Sequence, residues 1–348
     1  MSYPPDTLTD VPEQSMAETA SVKLYVDAWD PAYGSAIEAA EAEPTAESTA
    51  QVRANVEREP SAWAPVTPAP DRRVPGTILL VDGVRRIDAH VWIEESDSTV
   101  HTGLAASYAA GVVRCDLHRG SADVAGARVV RGFFTSSVDA EDIIASNARY
   151  QVHRVAGTDL VQIKQAIQAR LRTLETEVSA LARATTETLS PAHAADDDLL
   201  VLDGPLTGRD QLPRALGYVK THRVQYLPPD LSTVVNRLGP GQRTPVFLLG
   251  TSWHRYTWYL RLPGGGPAPW AGVVRVECSA DLAKSEAIAL ADLAALTLPR
   301  FASSPYKDPR APQNLTPIAG LERRLRGMLG DHRLLLRGLT AATARAAA

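Results

Sequence analysis

Short apolar or alternating stretches, which are typical of β-strands, recur along the chain after residue 77. The first, TILLVDG, is an apolar run that ends in Asp-Gly, and the following RRIDAHVWIEE alternates, so the two together predict a β-hairpin. Further stretches have strand character: GVVRCDLH, ARVVRGFF, LLVLDGPL, ALGYVKTH, TPVFLLGTS, YTWYLRL and AGVVRVECS. The chain is therefore predicted to form a sheet of several strands.

Helical periodicity appears between and after these stretches. From about Asp159 to Thr188 apolar residues recur every three or four positions, which predicts a long amphipathic helix. Further helices are predicted around LSTVVNRL, from about Ala280 to Leu296, and from about Pro317 to Ala347. Strands, then a helix, then strands alternating with helices favour an α/β fold in which helices flank a mixed sheet.

The first 74 residues differ in composition from the rest. Residues 1–20 predict a flexible tail, and the stretch from Lys23 to about Glu59 is rich in helix-favouring Ala and Glu. The proline-rich SAWAPVTPAPDRRVPG predicts a linker. We therefore predict a partly disordered, partly helical extension at 1–74 and a core domain at 75–348, which ends in a helical C-terminal extension.

Charge is distributed unevenly along the chain, whose net charge is −4. Residues 1–70 hold 3 Lys/Arg and 12 Asp/Glu, a net charge of −9, so the remainder carries +5. From Arg300 onward there are 9 Lys/Arg and 3 Asp/Glu. This asymmetry is compatible with a body that binds phosphate and equally with a solvated, arginine-rich helix face.

Several classes of protein are not expected. Cys115 and Cys278 have no CxxC or CxxH neighbour, which argues against a disulfide framework or a zinc site. No apolar run approaches the roughly 20 residues that cross a bilayer, and the acidic start MSYPPDTLTDVPEQ is unlike a signal peptide. We expect a cytoplasmic protein with no membrane contact.

The two Asp-Gly pairs, at Asp82 and Asp203, are the most informative chemical feature. Each follows an apolar strand-like run. If these strands are neighbours, their carboxylates converge, as two-metal phosphodiester chemistry requires, and Mg²⁺ or Mn²⁺ prefers such oxygen ligands. The alternative is that each Asp-Gly only makes a tight turn.

Five features follow one another over roughly residues 75–320: VDG, a long helix that carries glutamate, LDGPL, the strand GYVKTH and then VVRVE. In this order they resemble the NurA family of nucleases. The resemblance implies an RNase H-like fold and Mn²⁺- or Mg²⁺-dependent cleavage at DNA ends. It also implies a homodimer that works with a hexameric HerA-like ATPase. Within the printed sequence there is no GxxxxGK[ST] loop, so ATP-driven translocation would require such a partner.

The resemblance also assigns roles to single residues. Asp82 and Asp203 match metal-binding aspartates, and the family's catalytic glutamate corresponds to Glu175 or Glu177, between which periodicity does not choose. Lys220, at the end of GYVK, matches a lysine that would contact a phosphate. For Glu175, Glu177 and Lys220, the alternative is a solvated surface charge.

Weaker candidates lie on the later strands. Arg275 and Glu277 share one face of VVRVE, as in a similar strand of the family, and an ordinary ion pair explains them equally well. Trp253 could stack on bases of single-stranded DNA and Arg255 could hold a phosphate, although alternating aromatics more often pack a sheet.

One departure from the family concerns its C-terminal histidine. The comparable stretch, SPYKDPRAPQNLTPIAGLE, has none, and His332 lies farther on. Asp308 or Glu322 would have to supply the fourth ligand. The departure favours the alternative function of a catalytically silent subunit that binds DNA or HerA. An α/β enzyme acting on small phosphates is disfavoured because the chain lacks a glycine-rich phosphate loop.

Overall fold

A computed structural model of the chain describes residues 50–146, 148–189, 197–222 and 224–346. The predicted flexible tail and most of the predicted N-terminal helix therefore lie outside the described residues. Within the described part, no helix combines the length and the apolar character needed to cross a membrane.

One mixed sheet runs through the described residues. It has the order β1-β9-β10-β11-β8-β7-β2-β3-β4-β6-β5. Most neighbouring strands are antiparallel, but β2–β7, β7–β8 and β4–β6 are parallel. The strands are β1 (Gln51–Arg53), β2 (Thr77–Glu94), β3 (Val100–Asp116), β4 (Ser121–Thr135), β5 (Ile143–Ala145), β6 (Ala148–Arg154), β7 (Asp198–Asp203), β8 (Ala215–Val219), β9 (Phe247–Gly250), β10 (His254–Arg261) and β11 (Val273–Ser279).

Helices cover both faces of this sheet, which confirms the predicted mixed α/β class. They are α1 (Leu160–Leu189), α2 (Pro229–Asn236), α3 (Lys284–Thr297), α4 (Thr316–Met328) and α5 (His332–Ala346). Short 3₁₀ helices lie at Pro60–Ala62 and Leu298–Phe301.

Alternation along the central strands creates two cores. On β2, Ile78 and Leu80 join the core that holds the buried side chains of α3 and α4. Leu79 and Val81 join the opposite core, against the buried stripe of α1. Because successive side chains of a strand point to opposite faces, an apolar run is required where both faces are covered.

Three sequence predictions are corrected here. TILLVDG and RRIDAHVWIEE do not form a hairpin, because β2 continues through Asp82 to Glu94 and the reversal comes before Val100. The predicted last helix is two helices, since Gly330 adopts a φ of 81° between them. Residues 51–53 form strand β1 at the edge of the sheet rather than a helix.

The predicted proline-rich linker packs on the sheet. Trp63 is buried beside Phe247, and Val66 bridges to Arg243. The domain boundary at residue 74 stays a prediction.

Candidate active site

Asp82 and Asp203 occupy corresponding positions on adjacent parallel strands. The register pairs Val81 of β2 with Leu202 of β7, so the two aspartates follow side by side, on strands about 4.8 Å apart. Both side chains point to the same face, because each follows a residue of the α1 core. Asp82 is buried, and its Oδ1 accepts a hydrogen bond from the backbone N–H of Gly83 (2.7 Å).

Glu175 reaches this region from α1. It lies on the buried stripe of the helix, and its carboxylate accepts a hydrogen bond from the buried guanidinium of Arg209. Gly83 provides the space for it, because a Cβ atom at that position would overlap the Glu175 carboxylate. The two candidate glutamates are thereby distinguished: Glu177 is half-exposed and pairs with Arg128 (2.8 Å), outside this cluster.

Lys220 lies immediately after β8 and joins the cluster through Asp203. Its Nζ donates to Asp203 Oδ2 (2.6 Å) and to Asn314 Oδ1 (2.8 Å). Asn314 is fully buried, and its Nδ2 donates to Asp308 Oδ2 (2.6 Å). Tyr218 of β8 holds the same segment by donating its hydroxyl to the carbonyl oxygen of Gln313 (2.7 Å).

Glu322, on α4, is a further carboxylate near the two aspartates. Its carboxylate accepts from Arg310 (2.7 Å) and from Arg326 one turn farther along the helix (2.8 Å). It also interacts electrostatically with Asp82 and Asp203, so it belongs to the same charged neighbourhood. His332 lies elsewhere, with its Nε2 3.1 Å from the carbonyl oxygen of Asp88.

Burial makes negative charge unfavourable at the acidic centre. The pKa of Asp82 is raised well above its ordinary value by burial and then by Asp203. Burial also raises the pKa of Asp203 and of Glu175, although Lys220 and Arg209 oppose it. At all three carboxyl groups burial outweighs the nearby cations, so additional positive charge would favour their ionised forms.

At Lys220 and Glu322, by contrast, the surroundings favour the charged form. Burial alone would lower the pKa of Lys220, but Asp203 and Asp82 outweigh it and raise that pKa. Burial alone would raise the pKa of Glu322, but the hydrogen bonds from Arg310 and Arg326 outweigh it and lower that pKa. Lys220 is thus kept as an ammonium group and Glu322 as a carboxylate.

The donor atoms at the centre are carboxylate oxygens, with an amide oxygen from Asn314 nearby. This chemistry suits a hard divalent cation rather than a soft one. As the side chains stand, no group of three His, Cys, Asp or Glu residues in the described ranges is arranged to hold a metal ion. Lys220 and Arg209 occupy oxygens of Asp203 and Glu175 instead.

The other predicted binding residues form a separate cluster around Glu277. Arg255 and Arg275 are both buried and pair with the fully buried Glu277. The Arg255 guanidinium also lies 4.7 Å from the centroid of the Trp253 ring. These contacts leave the two arginines little surface for a ligand. The Glu277 carboxylate accepts a hydrogen bond from the backbone N–H of Leu206 (2.7 Å). Leu206 lies in the loop after β7, so this contact helps to fix the loop that follows Asp203.

Sequence reasoning missed Arg209, Arg310 and Asn314. None belongs to a periodic pattern, and a polar residue in a loop reveals no partner by spacing. The available signal for Arg209 was its position six residues after Asp203. The loop that holds it begins at the strand end that carries Asp203, so it starts close to the centre.

A family model for the NurA domain matches residues 96–323, which is more than half of the chain. The match includes Glu175, Asp203, Lys220 and Glu322, whereas Asp82 lies before it. No curated protein matches the chain closely enough to count as a relative.

Proposed function

The chain belongs to the NurA family, which gives it a nuclease-related role in DNA processing, and from this premise we propose that it is a metal-dependent DNA nuclease. The observation that carries the proposal is the juxtaposition of Asp82 and Asp203 on neighbouring strands, with Lys220 bound to Asp203 and Glu175 reaching the same strand ends from the α1 face, beside Gly83.

We also propose that the core is RNase H-like. Support comes from the strand order β4-β3-β2-β7-β8, in which β2 to β4 are antiparallel and β7 and β8 run parallel to β2. Helix α1 precedes β7 in the chain and packs on β2, β3 and β4. In this arrangement one acid comes from the first core strand, one from the helix and one from the strand that follows it.

Asp82, Asp203 and Glu175 would hold the divalent cations, Mn²⁺ or Mg²⁺. Such ions would supply Lewis-acid chemistry, namely activation of the attacking water and stabilisation of the leaving oxygen of the phosphodiester. The fit rests on the oxygen donors and on the burial that raises the pKa of all three carboxyl groups. A divalent cation relieves that unfavourable charge, so it binds with release of protons.

The remaining residues act on the substrate or on these ligands. Lys220 stays charged beside Asp203 and would neutralise negative charge that builds on the reacting phosphate. Asn314 orients the Lys220 ammonium group through a hydrogen bond. Arg209 orients the Glu175 carboxylate, since it is itself fixed by a hydrogen bond to the carbonyl oxygen of Pro205.

Partners are proposed from the family alone. A homodimer working with a HerA-like hexameric ATPase would process DNA ends, with translocation driven by the partner. The acidic residues 1–49 would then be either a docking element or a solubilising tail, as their composition predicts.

A nuclease assay on linear DNA with Mn²⁺ tests the function. We expect Asp203→Asn to lose activity by on the order of a hundredfold or more, because a metal ligand and the partner of Lys220 are lost together. Asp198→Asn is the matched control at the opposite end of β7, where Asp198 pairs with Arg183 (2.5 Å). Undiminished cutting by the Asp203→Asn protein would remove the catalytic claim.

The catalytically silent subunit is the second candidate. The absence of the family's C-terminal histidine favours it, as do the ion pairs that occupy Asp203 and Glu175. Wild-type protein that binds DNA but does not cut it with Mn²⁺, Mg²⁺ or Ca²⁺ would select this function.

A further inference from the structure

A continuous polar chain leads from Asp203 to the surface of α4. Lys220 links Asp203 to Asn314, and Asn314 donates to Asp308. Asp308 accepts from Arg310 (3.3 Å). Glu322 then joins Arg310 to Arg326, so hydrogen-bonded side chains connect the acidic centre with the exposed helix.

The cations of this chain become more exposed with distance from the centre. The side chain of Lys220 is 9% exposed, that of Arg310 is 15% and that of Arg326 is 59%. A ligand that carries one negative charge at the centre and further charges along its length would contact these groups in the same order.

Helix geometry extends this series by one more arginine. With 3.6 residues per turn, Arg326 lies about 40° from Glu322 around α4, and Arg323 lies about 100° from it in the same direction. Arg324 lies about 160° away in the other direction. Arg323 and Arg324 are both exposed, and the structure pairs neither with an acidic residue in the described ranges. Arg323 and Arg326 thus lie on the same flank of α4, to one side of Glu322, and Arg324 lies on the other.

We propose that this flank of α4 binds the phosphate backbone of the DNA strand next to the cleaved phosphate, with Arg326 and Arg323 as the contacts. The inference rests on the proposed function, because it takes DNA as the ligand. A repeating anion is favoured over an acidic peptide because fully charged guanidinium groups suit phosphate oxygens, which they can contact through several N–H donors.

The test is the salt dependence of DNA binding, measured without cleavage. A fluorescein-labelled single-stranded oligonucleotide is titrated with the full chain in EDTA, and anisotropy gives the binding constant at several salt concentrations. Each phosphate contact contributes about 0.7 to the slope of log K against log salt for a single strand. We expect Arg323→Ala to lower the slope by about 0.7 and Arg323→Ala with Arg326→Ala by about 1.4. Arg324→Ala is the matched control and should leave it unchanged.

Two results would overturn the inference. Either no variant changes the slope, or Arg324→Ala changes it as much as Arg323→Ala does, which would indicate diffuse attraction. The outcome is separable from the proposed function. A selective loss of slope in a protein that never cuts DNA keeps the binding flank and removes hydrolysis, whereas normal cutting with unchanged slopes removes only the flank.

Discussion

Replacing Asp82 by Asn should stabilise the metal-free protein at neutral pH. The carboxyl group is buried beside Asp203, and both effects raise its pKa well above the ordinary value of 3.8. Asn has almost the same shape, and its amide oxygen can still accept the hydrogen bond from the Gly83 N–H. The substitution therefore removes an unfavourable charge while it keeps the main local contact.

The size of the effect follows from the linkage between protons and folding. A raised pKa means that the folded protein binds a proton that the unfolded chain releases, so stability falls as pH rises above 3.8 through the folded pKa. One pKa unit corresponds to about 1.4 kcal/mol, and the interval from 3.8 to pH 7 sets an upper limit of about 4 kcal/mol. We expect the Asp82→Asn protein to be more stable than wild type by about 1–4 kcal/mol at pH 7.

Urea unfolding in EDTA at pH 7.5 and near pH 4 measures this difference. The gain should shrink towards pH 4, where the wild-type carboxyl group is protonated and resembles Asn. Asp198→Asn is a control with the opposite sign, because Asp198 is paired with Arg183 and loses a favourable interaction. The reasoning is refuted if Asp82→Asn destabilises the protein at pH 7.5, or if its gain is the same at both pH values.

Two further changes test how Glu175 is placed. Arg209→Met should weaken Mn²⁺ binding, measured by electron paramagnetic resonance of the free ion, and should cost about 3–5 kcal/mol of stability, since it leaves a buried carboxylate unpaired. Arg183→Met breaks a comparable ion pair of α1 and should lower stability without changing Mn²⁺ affinity; equal affinity in both variants would contradict the role of Arg209. Gly83→Ala places a methyl group against the Glu175 carboxylate and should lower both Mn²⁺ affinity and stability, by about 1–3 kcal/mol for the latter. Gly126→Ala, whose added Cβ meets open space, should lower neither in the same urea-unfolding and resonance measurements.

Local patterns predicted the elements well where one period dominated. The three- and four-residue spacing from about Asp159 to Thr188 corresponds to α1, and the apolar run LLVLD corresponds to β7. The Asp-Gly pair at 82–83 led to the wrong prediction of a hairpin turn at that point. Its turn preference is outweighed by pairing with β3, which is continuous on both sides of Asp82.

The site was predictable only in part, for a related reason. Asp203 and Asp82 end apolar runs, so strand pairing was enough to bring them together. The choice between Glu175 and Glu177 required knowing which flank of α1 faces Gly83, and both lie beside the apolar stripe in sequence. Arg209 and Asn314 depend on loop paths that no periodicity encodes.

The unequal lengths of β2 and β7 explain why the centre is both rigid and open. β7 ends at Asp203, and Gly204, with a φ of 103°, turns the chain away, whereas β2 continues for twelve residues beyond Asp82. A step therefore forms in the sheet. Beyond Asp82, β2 remains paired with β3 on one side, but its pairing with β7 on the other side has ended. Gly83 at this step admits Glu175 from the opposite face. A shorter β2, as its Asp-Gly pair suggested, would have ended both strands together and left Asp82 on a flexible turn, which holds a ligand less firmly than the interior of a strand.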